Sequence, residues 1–166
     1  IKASSISMSS TFWLKNKRLK HGCNTEQQEL DIVEIVGQQK RAGDFRGTMR
    51  SNAHFIDTPC DGEEKYISAP GPGAKIAPPA DEAYHVYGCW WVVAKTLHFY
   101  LDEEFVYTIN PSTDVREDPF YRPMYMHLVT ETYNWEDPPT PEELADDSKN
   151  TTYYDWVRSY VLQPIE

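Results

Sequence analysis

The stretch 29–37, ELDIVEIVG, limits the fold more than any other part of this chain. Five of the seven residues from 30 to 36 are Leu, Ile or Val, and four of those five are β-branched. Leu30, Val33 and Val36 recur at a spacing of three, so an amphipathic helix is the competing reading. Side chains branched at Cβ lose rotamer freedom in a helix and pack well on a pleated surface. Gly37 then ends the run, and the balance favours a strand. In a regular strand successive side chains alternate between faces, so Glu29 and Asp31 share one face and Leu30 and Ile32 the other. Glu34 is five residues from Glu29, an odd offset, and points the wrong way. A β-bulge at Ile32–Val33 absorbs one residue and returns Glu34 to the side of Glu29 and Asp31. Leu30, Ile32 and Ile35 are then buried on the opposite face.

The rest of the chain agrees with a β-rich fold. Strands are expected near 3–14, 29–36, 49–57, 64–68, 84–94, 96–101, 104–108, 122–132 and 152–162. The stretch 97–109, LHFYLDEEFVYTI, reads as a hairpin with Asp102, Glu103 and Glu104 at its tip. The Pro- and Gly-rich run 68–81 reads as a loop. One helical signal stands out, TPEELADDS at 140–148, with Thr140 as N-cap, Pro141 in the first position, Glu143 in the third, and Lys149 and Asn150 closing it. Many short antiparallel strands in 166 residues point to an all-β sandwich of the jelly-roll kind. That length is enough for one domain with its own core.

Composition narrows the function classes. The formal charge of −10 disfavours a nucleic-acid binder, which needs a basic surface. No apolar run approaches a membrane span. Five Trp and eleven Tyr suit a cleft that stacks the flat apolar faces of sugar rings. Three cysteines form neither a metal set nor a disulfide framework. Cys89 lies in an apolar run and is expected as a buried thiol, whereas Cys23 and Cys60 lie in polar loops and pair if the protein is exported. The chain starts at Ile1, without Met or signal peptide, and reads as a cut through a domain with residues missing upstream.

Three carboxylates on one strand face repel one another and push at least one pKa upward, as a general acid at neutral pH requires. Two Glu flanking a short central acid could sit at the ~5–5.5 Å separation used in retaining glycoside hydrolysis, one attacking the anomeric carbon and the other protonating the leaving oxygen. A solvated acidic strand face is the alternative on pattern alone.

Three motifs in order resemble glycoside hydrolase family 16. E-x-D-x-x-E, Glu29 to Glu34, is similar to the bulged signature of its agarase, porphyranase and carrageenase branch. The stretch 84–109, YHVYGCWWVVAKTLHFYLDEEFVYTI, resembles a two-strand element of that family, with Glu103 or Glu104 where the pattern usually has Gly. The ending YYDWVRSYVLQP resembles its closing strand. The resemblance implies a jelly roll with a curved, concave catalytic sheet, here one catalytic domain over 1–166 without its N-terminal strands. It implies Glu29 as nucleophile, Glu34 as acid/base and Asp31 as assistant. Trp13 matches a sugar-stacking Trp in the cleft, though a lone Trp also serves as core packing. HLVTETYNW places Glu131 in the cleft and Trp135 near its rim, with an ordinary strand carboxylate as the alternative for Glu131. His54, on the following strand, is expected to reach the acid/base region.

The same resemblance implies a bacterial protein, secreted or at the cell surface or periplasm, acting on a red-algal galactan. It implies no cofactor. Asp155 matches a position that in some relatives helps hold structural calcium with N-terminal residues absent here. Another segment is expected to complete the sandwich. Two basic groups bear on the substrate: Lys15, Lys17, Arg18, Lys20 and His21 before the catalytic strand, and Lys40, Arg41, Arg46 and Arg50 after it. They are either solvated loops or, beside the cleft, holders of sulfate esters through charge-assisted hydrogen bonds, with Lys15 and Arg18 foremost. The latter tilts the expectation toward porphyran over neutral agarose. A non-catalytic carbohydrate-binding jelly roll is the reading from another class.

Overall fold

β-Branched and aromatic segments separated by turn residues fold as the pattern requires, into strands. The computed structural model describes residues 1–41 and 43–163. Its strands are β1 (Ser9–Lys15), β2 (Leu19–His21), β3 (Asn24–Val36), β4 (Thr48–Thr58), β5 (Lys65–Pro70), β6 (Ala74–Lys75), β7 (Tyr87–Val93), β8 (Thr96–Leu101), β9 (Glu104–Ile109) and β10 (Tyr125–Val129). Two one-turn helices follow, α1 (Pro141–Leu144) and α2 (Asp147–Asn150). All ladders are antiparallel. The larger sheet runs β10-β1-β3-β4-β5, with β2 on β3 and β6 on β4, and the smaller runs β7-β8-β9.

The two sheets meet face to face. Leu30, Ile32, Val33, Ile35, Met49 and Ala53 from the larger sheet pack against Tyr87, Leu97, Phe99, Leu101, Tyr107 and Ile109 from the smaller. Alternation does the sorting: in β8 Leu97, Phe99 and Leu101 point inward while Thr96, His98 and Tyr100 do not. Apolar burial of this kind contributes about 1.5–3 kcal/mol per large side chain. It fixes which face of β3 is left for chemistry. The disulfide Cys23–Cys60 ties the β2–β3 turn to the loop between β4 and β5. Cys89 is the free thiol; it is partly buried against the core rather than fully enclosed as expected, and desolvation pushes its pKa up to about 12.

Several expected boundaries shift. The strand expected over 3–14 begins at Ser9. Residues 3–8 find no single partner strand: Ala3 N–H donates to Ala80, Ser5 N–H to Lys149, and Ile6 C=O accepts from Gln38 N–H. The closing segment 152–162 forms only the bridge Lys2–Tyr153, with no ladder beyond it among the described residues. Trp156, Tyr160, Val161 and Leu162 are exposed there, since strand propensity without a neighbour to pair with makes no strand. Pro164 of that motif lies outside the described residues. The helix expected at 140–148 is two helices. Thr140 and Glu143 form the anticipated capping box, but Asp146 accepts from Ser148 N–H and starts a second turn. Part of the loop at 68–81 pairs as β6, with Lys75 opposite Thr48. The hairpin tip turns at Asp102 and Glu103, with φ of 51° and 71°. Left-handed backbone is costly without Gly, and here Asp102 offsets it by accepting from Val86 N–H and binding His85 Nδ1.

Candidate active site

β3 carries the acids, and its neighbours in the sheet supply their partners. Glu29 lies opposite His54 on β4, Asp31 opposite Asn52 and Glu34 opposite Arg50. Three steps along β3 from Asp31 to Glu34 match two along β4, so β3 holds one extra residue at Ile32–Val33. The same slip occurs against β1, where Phe12 opposes Val33 and Trp13 opposes Asp31. Both bulge residues point inward, Ile32 at 4% and Val33 at 0% exposure. The three carboxylates therefore share the outer face of the larger sheet, and the helical reading of 30–36 is excluded.

Each acid has a different partner. Glu29 forms an ion pair with Lys15, its opposite on β1. Asp31, buried, accepts from His54 Nε2 at 2.9 Å, and His54 Nδ1 in turn meets the Tyr66 hydroxyl at 2.5 Å. Glu34 accepts at Oε1 from the Tyr133 hydroxyl at 3.0 Å. Burial raises the Asp31 pKa above the ordinary carboxylate range against the hydrogen bond from His54. Burial and then the Asp31 charge raise that of Glu34, opposed by the Tyr133 hydrogen bond. For His54 burial acts downward but is outweighed by the hydrogen bond and charge of Asp31, with Glu29 and Glu34 adding to them, so its pKa lies above the usual value. A carboxyl whose pKa is raised by burial and by a neighbouring carboxylate is the kind of group that acid/base chemistry uses.

Glu29, Asp31 and His54 place ligand atoms within 4.8 Å of one another, the one such cluster among the described residues. A cation there would have to displace Lys15 and break the Asp31–His54 bond, so the arrangement serves proton and charge balance better than metal binding. Asp155 is exposed and joins no such cluster.

Of the other expected residues, Trp13 lies beside Asp31 in register and stacks on His127 at 4.2 Å, with the Lys15 ammonium 5.3 Å from its ring. Trp135 stacks on Tyr133 at 4.7 Å and meets Phe45 at 5.3 Å. Glu131 is exposed, and its backbone exchanges hydrogen bonds with Ser9 two residues before Tyr133. Arg18 is not brought to the acids. It bonds Thr25 and Thr58 and pairs with Glu64 at 3.6 Å, at the far end of β3. In the second basic group Lys40, Arg41 and Arg46 pair with Glu143, Asp137, and Asp81 with Glu82. Arg50 pairs with no carboxylate among the described residues and lies 4.3 Å over Phe45. Sequence reasoning missed Tyr133, Tyr66 and Phe45. Tyr133 was within reach, because alternation groups it with Glu131 and Trp135. Tyr66 and Phe45 depend on strand and loop placements that no local pattern announces.

The sandwich superposes on solved glycosidase jelly rolls. A β-porphyranase from the human gut bacterium Bacteroides plebeius aligns with TM-score 0.79 and 39% identity over 89% of this chain and 56% of that one. β-Agarase A from Zobellia galactanivorans aligns with TM-score 0.69 and 25% identity over 89% of this chain and 54% of that one. The fold and site thus define a jelly roll with an acidic strand at the centre of its larger sheet. The family description "Beta-porphyranase A-D, GH16 domain" matches residues 1–162, and the chain belongs to glycoside hydrolase family 16. Among curated relatives, β-porphyranase E of Zobellia galactanivorans is 68% identical over all of this chain and 60% of its own length. β-Porphyranase B of Phocaeicola plebeius is 42% identical over all of this chain and 57% of its own. The chain spans less than two thirds of the length of these relatives.

Proposed function

We propose that residues 1–166 form a single catalytic domain that hydrolyses a red-algal galactan at internal β-1,4 bonds with retention. The observation that carries the proposal is the bulge, which sets Glu29, Asp31 and Glu34 on one face with three different partners. Glu29 attacks the anomeric carbon while Glu34 delivers its proton to the departing oxygen. Water, giving its proton to Glu34, then releases the glycosyl-enzyme. Asp31, paired to His54, orients Glu29. Trp13, Trp135 and Glu131 line the sugar path. Membership in the family and the names of its relatives support a galactan. An extracellular site of action is supported by the disulfide and by a relative named "Extracellular agarase" from Streptomyces coelicolor, 29% identical over 96% of this chain and 56% of its own length.

Arg50 favours a sulfated polymer such as porphyran. A guanidinium without a carboxylate partner among the described residues, beside the Phe45–Trp135 aromatics, suits a sugar that carries an anionic ester. Lys15 and Arg18 have protein partners already, which weakens their claim to that task.

The test is release of new reducing ends from porphyran and agarose by the protein and by two variants. Glu29→Gln should lose roughly 10³-fold or more on whichever polymer is cut, as expected for removal of a covalent nucleophile. Activity within tenfold of wild type refutes the assignment, and binding without any cleavage by wild type gives the carbohydrate-binding reading. Arg50→Gln should lower kcat/KM on porphyran about tenfold or more and leave agarose nearly unchanged. Equal losses on both would remove the sulfate role.

A further inference from the structure

We propose that Tyr133 is the positioning residue for the acid/base carboxyl: its hydroxyl occupies Oε1 of Glu34, leaving Oε2 as the oxygen that gives and takes the proton. The proposal rests on the acid/base role of Glu34. A protonated carboxyl has one carbonyl oxygen, which accepts, and one hydroxyl, which donates. With the Tyr133 hydroxyl donating to Oε1 at 3.0 Å, Oε1 takes in this proposal the part of the carbonyl oxygen and Oε2 that of the proton carrier. Oε2–H passes its proton to the glycosidic oxygen as that oxygen's bond to the anomeric carbon breaks and a Glu29 oxygen bonds the same carbon. In the second step a water oxygen bonds that carbon, the bond to Glu29 breaks, and the water proton returns to Oε2. Throughout, Oε1 keeps one donor, which also stabilises the carboxylate present between the two steps.

The Tyr133 ring is held for this task. It stacks on Trp135 at 4.7 Å with planes 16° apart, Trp135 packs on Phe45 at 5.3 Å, and the Arg50 guanidinium covers Phe45 at 4.3 Å. Arg50 is the residue opposite Glu34 in the β3–β4 register, so the contacts that hold the ring run back to the strand next to β3. A clamped ring fixes its hydroxyl in a way that a flexible donor would not. The other charged groups acting on Glu34 are Asp31 and Glu29 on its own strand and His54 on β4; Arg50 is opposite it in the register, and Glu131 acts on Tyr133 itself. None is altered by removing one phenolic oxygen.

The decisive variant is Tyr133→Phe, which keeps the stacked ring. A hydrogen bond donated to the ionised carboxylate favours that form, so its loss raises the Glu34 pKa further. Because Glu34 must be protonated to act, the basic limb of kcat/KM should move to higher pH, by about one unit. At the optimum kcat should fall about tenfold on the polymer and less on an aryl glycoside with a good leaving group, while KM stays within about threefold. Placing 3-fluorotyrosine at 133 makes the phenol a stronger donor, preserves the stack, and should move the limb the other way. It keeps the question open to measurement even if Tyr133→Phe unfolds. Unmoved limbs in the folded variants would reduce Tyr133 to packing and overturn the proposal. Glu34→Gln separates the two failures: a fully active Glu34→Gln sinks the acid/base role and this proposal together. An inactive one beside an unchanged Tyr133→Phe sinks only this proposal.

Discussion

Gly37→Ala should be among the most damaging single methyl additions in the molecule, and the reason lies in one crossing of backbone over backbone. Gly37 follows the last residue of β3, where residues 4–6 pass over it. A Cβ at Gly37 would lie 2.0 Å from the Ser4 carbonyl oxygen, 2.8 Å from its carbon and 2.9 Å from the Ile6 oxygen. Real Cβ contacts essentially never fall below 3.0 Å, so the crossing segment must retreat by about 1 Å. No flexible side chain can absorb this, because all three atoms are main chain. That segment is pinned by Ala3 N–H to Ala80 at 2.9 Å, Ser5 N–H to Lys149 at 2.8 Å and Gln38 N–H to Ile6 at 3.0 Å. Overpacking alone costs about 1–3 kcal/mol. Weakening two or three of those hydrogen bonds adds roughly 0.5–1.5 kcal/mol each. A loss of about 3–5 kcal/mol is expected, read from urea unfolding. Gly88→Ala is the control, since its Cβ meets only Tyr100 Cβ at 3.6 Å, and it should change stability by less than about 1 kcal/mol. Activity of any folded Gly37→Ala should also fall if Glu34 is the acid/base proposed, because it lies three residues away on the displaced strand end and a 1 Å shift at a catalytic group can cost ~10²-fold. A Gly37→Ala protein within 0.5 kcal/mol of wild type, on the order of ordinary surface changes, would show that the crossing is not tight.

Asp31, Glu34 and His54 all have raised pKa values, so each contributes stability that is present below its unfolded pKa and lost as pH rises through its folded pKa. Stability from these groups should therefore decline from the mildly acid carboxylate range upward. Glu34→Gln, which still accepts from Tyr133, should match wild type near the unfolded carboxylate pKa and unfold at higher urea near pH 8; a variant weaker than wild type at pH 8 would contradict this. Removing the Cys23–Cys60 link, which spans a sequence separation of 37, should cost up to about 4 kcal/mol on chain-entropy grounds. An unchanged melting temperature under reductant would show that the β2–β3 turn needs no tie.

What the sequence disclosed was whatever strand parity controls. The odd offset of Glu34 required an extra residue, and the register slips at Ile32–Val33 on both sides of β3. The capping box at Thr140 and Glu143 and the turn at Asp102–Glu103 were equally local and equally visible. What stayed hidden needed knowledge of neighbours. The segment 152–162 has the composition of a strand but, among the described residues, no ladder to join beyond the bridge at Tyr153. Residues 3–8 run into β1 without a turn signal and so read as its beginning, yet they spread their hydrogen bonds over Ala80, Lys149 and Gln38. Tyr66 reaches His54 only because β5 is registered on β4 as it is. Basic residues that read as one group divided by partner: Arg46 is spent on Asp81 and Glu82, whereas Arg50 is not.

The extra residue in β3 also bears on how such chains can diverge. A pleat counts residues in twos, so the stretch before the bulge and the stretch after it keep their facing independently. Deleting either Ile32 or Val33 would restore strict alternation from Glu29 through the last acid, and all three carboxylates would still emerge on the same side. The change would cost one buried side chain, about 1.5–3 kcal/mol, and no polarity of the site. Insertion and deletion at this one point are therefore nearly invisible to the chemistry, though they break any ungapped search pattern written across it. Two lineages can differ there by a whole residue, look unalike when aligned letter by letter, and keep the same working surface.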